Sequence, residues 1–186
     1  MALAKRLREY PDTERCVGGV THFDDAPQWI YDLDNPYLHG VYAPTLDEMH
    51  VSDLPVIGEL PADLVGGYFR NGPNPVYSPK NRYHPFDGDG MVHGVYFRDR
   101  KVSYRNRYVQ TAALAGERAD GRSVSPGVMG PFDYNVSQFG IKDTSNTDVF
   151  CYNGDLMTLW YNAGHPYRLD SQTLATKGYY DLDGRK

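Results

Sequence analysis

The sequence predicts an all-β fold built from short antiparallel strands, and three observations carry that reading. The 186 residues include 16 Tyr, 19 Gly and 13 Pro; aromatic side chains suit pleated, half-buried surfaces, while Gly and Pro punctuate turns. Long runs with a 3.6-residue apolar period are missing. Alternating segments are split by compact turn signals, above all Asn153-Gly154, where a type I′ turn needs positive φ at both central positions.

Taken in order, residues 1–63 read as an irregular arm lying over a body. Leu3 and Leu7 lie four apart and predict two turns of helix. The stretch from Thr45 predicts one more turn, with Thr45 as cap and Glu48 three residues on. Pro27, Pro36, Pro44, Pro55 and Pro61 break anything longer. From Gly66 the pattern changes. "GGYFRNG" reads as a short strand ending at the Pro-rich loop "PNPVYSPKN". Residues 91–111 read as a hairpin turning at Asp99-Arg100, with strands from Met91 to Phe97 and from Val102 to Thr111. Residues 112–144 read as one long connection, of the kind that carries function or covers something. Residues 147–182 then give strand, Asn-Gly turn, strand, loop, strand, polar turn, strand. Four short antiparallel strands in succession fit one propeller blade or a four-stranded meander of a sandwich.

Charge and composition narrow the partners. The formal charge of −5 and pI near 5.6 argue against a nucleic-acid surface, which reads basic. No Lys/Arg run marks a membrane-docking patch. The charged start "MALAKRLREYPDTERC" lacks the apolar segment of a secretory signal, and no apolar run has the length of a membrane span. Cys16 and Cys151 read as reduced thiols, and the expected compartment is the cytoplasm. "NVS" at Asn135 is formally a glycosylation acceptor, without weight in the absence of an export signal.

The stretch "YHPFDGDGMVHGVYF", Tyr83 to Phe97, concentrates His, Asp and Gly. Counted from Asp87, Asp89 fits the third position of an EF-hand loop, but Met91 and Arg98 fall at the fifth and twelfth, where oxygen ligands belong. A dinucleotide loop would need Gly where His93 stands and a helix where a strand follows. No Gly-Lys-Ser/Thr, His-Glu-x-x-His or Cys-x-x-Cys is present. A metal pair of His84 and His93 is one reading. A Gly-rich corner feeding a buried strand is the other; there the Asp carboxylates accept backbone N–H bonds and the glycines supply positive φ.

Four segments in order, "LPVIGELPADLVGGYFRNGPNP", "YHPFDGDGMVHGVYF", "YRNRYVQT" and "NTDVFCYNGDLMTLWYNAGHPYRLDSQTLATKGYYDLDGR", resemble the carotenoid cleavage oxygenase family over residues 33–186. The resemblance implies the first blades of a seven-bladed β-propeller, and oxidative cleavage of a carbon–carbon double bond by O₂ at a non-haem iron(II). In the family four His on the propeller axis hold the iron, and the Phe-Asp-Gly-Asp-Gly-Met stretch is structural. The first ligand follows a segment like "YYDLDGR" in an Ala-His-Pro motif, so all four ligands are expected beyond Lys186 and none within these residues. His165 aligns with no ligand position.

The resemblance also implies a Glu after the strand that here reads "LMTLW", as acceptor for a ligand imidazole; Tyr161-Asn162 stands there instead. Lignostilbene-type members carry a phenol-binding Lys in that strand, whereas this chain has Trp160, an apolar face without a cation. Trp160 and Phe86 are therefore the expected substrate-binding residues, each with core packing as its alternative, and the expected substrate is an apolar polyene or apocarotenoid ahead of a stilbene. The implied partners are that alkene, O₂, further blades and peripheral membrane contact for substrate uptake, with no nucleic acid. A shortened, non-catalytic binding or interaction module is the alternative function.

Overall fold

A computed structural model describes residues 13–15 (as backbone), 34–39, 42–161, 164–181 and 184. Among these described residues nine strands form two antiparallel sheets. In chain order they are β1 (Thr13–Arg15), β2 (Met49–Val51), β3 (Gly66–Pro73), β4 (Gly90–Arg98), β5 (Lys101–Tyr108), β6 (Asp148–Tyr152), β7 (Asp155–Leu159), β8 (Tyr167–Asp170) and β9 (Thr176–Tyr179), with one helix, α1 (Ala112–Asp120). The first sheet runs β1-β2-β5-β4-β3, and the second is the meander β6-β7-β8-β9.

The hairpin turns form as their sequences require. Asp99 and Arg100 take φ of 52° and 58°, and Asn153 and Gly154 take 49° and 85°, so both loops are two-residue turns whose twist matches the strands they join. The β8–β9 turn is held by Asp170, whose Oδ1 accepts from Gln172 N at 3.0 Å, Thr173 N at 2.8 Å and Thr173 Oγ1 at 2.9 Å. These bonds, led by Thr173 N–H, pull the Asp170 carboxyl down to about 2. Leu174 turns left-handed at φ 59° and is wholly buried, so this polar turn also delivers a core side chain.

β4 is buried on both faces where it starts. Val92 joins Val109, Leu156, Tyr167, Leu169 and Leu174 between the sheets, while Met91 points the other way to Tyr108 and Leu114 under α1. Successive strand residues face opposite sides, so two adjacent apolar residues serve two cores. The sheets are also tied directly. Asn71 Nδ2 donates to Ser145 O (2.9 Å) and Asp148 O (3.0 Å), and Tyr96 Oη donates to Ser171 O (2.9 Å).

Three expectations change. The arm does not simply lie over the body: β1 and β2 extend the first sheet beyond β5. Thr45 caps no helix, because its N–H is taken by Asn74 Oδ1 at 2.7 Å, and Glu48 Oε1 instead accepts from Tyr108 N at 2.7 Å. The connection 112–144 opens with α1, capped by Thr111 Oγ1 accepting from Leu114 N at 3.1 Å and closed by left-handed Gly121 at φ 67°. Its buried residues are Leu114 and Glu117, so the helix shows no apolar stripe to read. The helix expected around Leu3–Leu7, along with Cys16, lies outside the described residues; Cys151 is a free, exposed thiol.

The Gly-rich corner is structural, but its glycines work by close approach. Gly88 has φ −67°, and a Cβ on it would lie 2.8 Å from Asn74 N. A Cβ on Gly90 would lie 2.5 Å from Ser145 O and 2.8 Å from Thr144 O. These neighbours are backbone atoms, which cannot swing aside. Gly90→Ala is therefore expected to destabilise by roughly 1–3 kcal/mol, the range for a forced core overlap. A Cβ on Gly72 would meet nothing within 4 Å, so Gly72→Ala should change stability by less than about 0.5 kcal/mol. Urea unfolding of the two variants side by side checks this.

Candidate functional site

The corner at Tyr83–Phe97 places its acids on protein partners. Pro85–Asp87 is one turn of 3-10 helix, in which Asp87 Oδ2 accepts from His84 N at 2.8 Å and His84 Nδ1 accepts from Phe86 N at 3.2 Å. Asp87 Oδ1 accepts from Val128 N at 2.8 Å. Burial pushes the Asp87 carboxyl up, and the Val128 and His84 N–H groups partly offset it. Asp89 is 1% exposed; its Oδ2 accepts from Val76 N at 3.1 Å and its Oδ1 lies 2.8 Å from Lys142 Nζ. Lys142 Nζ also reaches Glu117 Oε2 at 2.6 Å.

His84 and His93 do not act as a pair. His84 spends Nδ1 on its own turn, and His93 Nδ1 lies 2.7 Å from Tyr104 Oη. Burial, then the Arg70 charge, hold the His93 imidazole down at about 4. Among the described residues no group of three or more His, Cys, Asp or Glu could hold a metal ion.

The turn at Pro85–Asp87 presents Phe86 outward, 37% exposed, and fixes its backbone: Phe86 O accepts from Asn146 Nδ2 at 2.9 Å and Thr144 Oγ1 at 3.2 Å. The Phe86 ring meets Tyr161 at 4.7 Å between centroids, tilted by 57°, and His84 flanks it at 4.8 Å. Tyr161 meets Trp160 edge-on at 6.4 Å. Both sequence-predicted residues thus belong to one aromatic row, His84–Phe86–Tyr161–Trp160, with Tyr161 as the bridge. Tyr161 is 62% exposed and Trp160 8%, so the row runs from open surface into the interior. The sequence marks Tyr161 only as a departure from the expected Glu; its contact with Phe86, 75 positions away, needs the fold. Asn162 lies outside the described residues. The His165 ring meets Tyr179 at a 37° tilt with centroids 5.3 Å apart.

The end of the row is short of hydrogen bonds. Trp160 Nε1 and Asn146 Oδ1 are buried without a partner. In the segment between Lys142 and Asn146, Asp143 has its carboxyl raised to about 6 by burial, against the N–H groups of His165 and Ser145.

The sequence profile described as Retinal pigment epithelial membrane protein (RPE65) matches residues 42–186. The chain belongs to the carotenoid cleavage oxygenase family. It is 35% identical over 154 residues to an isoeugenol monooxygenase of Pseudomonas nitroreducens, covering 82% of this chain and 32% of that protein. It is 35% identical to a carotenoid 9,10(9′,10′)-cleavage dioxygenase of Phaseolus vulgaris, covering 85% of this chain and 33% of the relative. Among solved structures, the lignostilbene dioxygenase of Pseudomonas brassicacearum superposes with a TM-score of 0.74 at 37% identity, over 82% of this chain and 32% of that one. The chain therefore spans about a third of the length of the curated relatives it matches.

Asp143 gives a pH test. A carboxyl whose folded pKa is about 6 against an ordinary 3.8 favours folding below pH 4 and loses that contribution as pH rises through 6. Asp143→Asn should therefore raise stability at pH 7 by roughly 1 kcal/mol after solvent screening, and the gain should vanish at pH 4. Melting temperatures of the two proteins from pH 4 to pH 8 check the sign.

Proposed function

We propose that this chain is the amino-terminal part of a non-haem iron(II) dioxygenase that cleaves a carbon–carbon double bond with O₂, giving two carbonyl products. The observation that carries the reading is the Phe86–Tyr161–Trp160 row on a chain of this family. The complete fold is a seven-bladed propeller, with β3–β5 and β6–β9 in its first two blades and the four His ligands of the iron outside the described residues. Bound iron would supply activation of O₂ beside the alkene. The part of these residues is to bind and orient. Two aromatic faces at 4.7 Å form an apolar wall, and Asn146 and Thr144 lock the backbone that carries Phe86. The rings exclude water along one side of an extended alkene.

The substrate we infer is a polyene or apocarotenoid. Trp160 supports this choice, because it offers an indole face and no cation to pair with a phenolate. A phenolic alkene is the second reading, favoured by the names isoeugenol monooxygenase and lignostilbene dioxygenase among the relatives. In the complete protein, Trp160→Lys should move preference from apocarotenals toward 4-hydroxystilbenes by about tenfold, the effect of one modest polar contact. Chromatography of products from mixed substrates reads the ratio. Wild-type cleavage of hydroxystilbenes faster than apocarotenals would overturn the polyene assignment, and loss of all cleavage on adding a chelator is expected for either substrate.

A further inference from the structure

A cleft that none of the aromatic-row residues lines lies between the outer half of the first sheet and the β8–β9 turn. It is an open cleft of about 610 Å³, within the size range of small-molecule sites. One wall is apolar. Phe69 and Tyr96 meet edge-on with centroids 5.5 Å apart, and they do so by lying across glycines. A Cβ on Gly67 would sit 2.7 Å from the Phe69 ring, and one on Gly94 would sit 3.0 Å from the Tyr96 ring. Cross-strand pairing sets Gly67 opposite Tyr96 and Phe69 opposite Gly94, so the two rings fill the surface that the glycines leave. Val65, 65% exposed, continues this wall.

The other wall is cationic. Arg98, Lys101 and Arg105 line the cleft against a single carboxylate, Asp99, in a chain whose formal charge is −5. Arg98 and Lys101 are directly opposed across the hairpin tip, an arrangement of like charges that weakens a strand pair. Lys101 has only an exposed contact with Asp53 at 3.4 Å. Arg105 Nη1 donates to Gln172 O at 2.9 Å, its Nη2 lies 3.1 Å from His50 Nε2, and its Nε is buried without a partner. Among the described residues no carboxylate forms an ion pair with Arg98 or Arg105. A guanidinium bonded only to neutral groups keeps its full charge available to an anion.

We propose that this cleft binds an amphipathic carboxylate, with the head group held between Arg98, Lys101 and Arg105 and the alkyl body along Val65, Phe69 and Tyr96. Charge gives the orientation, and the glycine-seated rings give the apolar surface. The site is independent of the alkene row and of any metal.

Isothermal titration on the complete protein tests this with two probes of equal chain length, dodecanoate and dodecyltrimethylammonium, each below its micellar concentration. Dodecanoate should bind and the cation should not. The double variant Arg98→Gln/Lys101→Gln, whose substituted side chains are exposed and whose fold circular dichroism checks, should weaken dodecanoate at least tenfold, and Phe86→Ala should leave it unchanged. Raising salt should weaken binding as well. Equal binding of both probes, no heat from dodecanoate, or an unaffected double variant would each overturn the proposal. So would loss of binding in Phe86→Ala, which would place the carboxylate in the alkene site. Sedimentation with phosphatidylglycerol vesicles separates a lipid surface from a free ligand: vesicle binding without dodecanoate binding also overturns it.

Discussion

One buried ammonium organises this molecule. Lys142 reaches Asp89 just before β4 and Glu117 on α1, at 2.8 and 2.6 Å, with all three side chains no more than 7% exposed. Burial alone would pull Lys142 down, but the charges of Asp89 and then Glu117 outweigh it and hold the group above its ordinary range. Two carboxylates share one cation, so the remaining oxygens need further donors. Glu117 Oε1 accepts from Ser123 Oγ at 3.0 Å and Val124 N at 3.2 Å, and Asp89 Oδ2 accepts from Val76 N. Charges withdrawn from water persist only when such bonds are complete. The triad therefore joins three segments distant in sequence: the connection between β3 and β4, α1 with its following turn, and the segment leading into β6.

The residues just after Lys142 inherit that placement. Thr144 and Asn146 bond Phe86 O, and Asn146 also donates to Gly88 O at 2.6 Å, so the corner carrying the aromatic row is fixed to the same segment. Gly90 N donates to Thr144 O at 2.9 Å, an approach that only a residue without a Cβ permits. Two asparagines play a comparable part for the amino-terminal strands. Asn106, wholly buried, accepts from Met49 N at 2.6 Å and donates to Asp47 O at 2.7 Å, standing in for a peptide group. Asn74 bonds both the N–H and the C=O of Thr45. Polar side chains thus hold an arm whose own sequence has little apolar periodicity.

Strand existence and turn type were readable because they depend on local chemistry: aromatic alternation, and Asn-Gly at a site of positive φ. The family resemblance rested on the same stretches, and the match over residues 42–186 supports it. Features set by distant partners were not readable. Glu117 looks like a solvated helix residue until Lys142 is brought beside it, so α1 presented no apolar face. Thr45 and Glu48 have the spacing of a capping box, but Asn74 and Tyr108 N compete for the same groups and win. Gly88 and Gly90 were legible as special, though not for which reason, since close packing and positive φ both select glycine. In the candidate site Phe86 and Trp160 stand 74 positions apart in sequence, and it is the fold that links them through Tyr161.

The organising role of the buried ammonium is tested most directly by the stability of Lys142→Met against that of the charge-free triple variant Lys142→Met/Asp89→Asn/Glu117→Gln, followed by urea unfolding of the complete protein. Removing the ammonium alone strands two buried carboxylates and should cost about 3–5 kcal/mol, whereas the triple variant should recover much of that loss. A single Lys142→Met variant within about 0.5 kcal/mol of wild type would contradict the central place given to this triad.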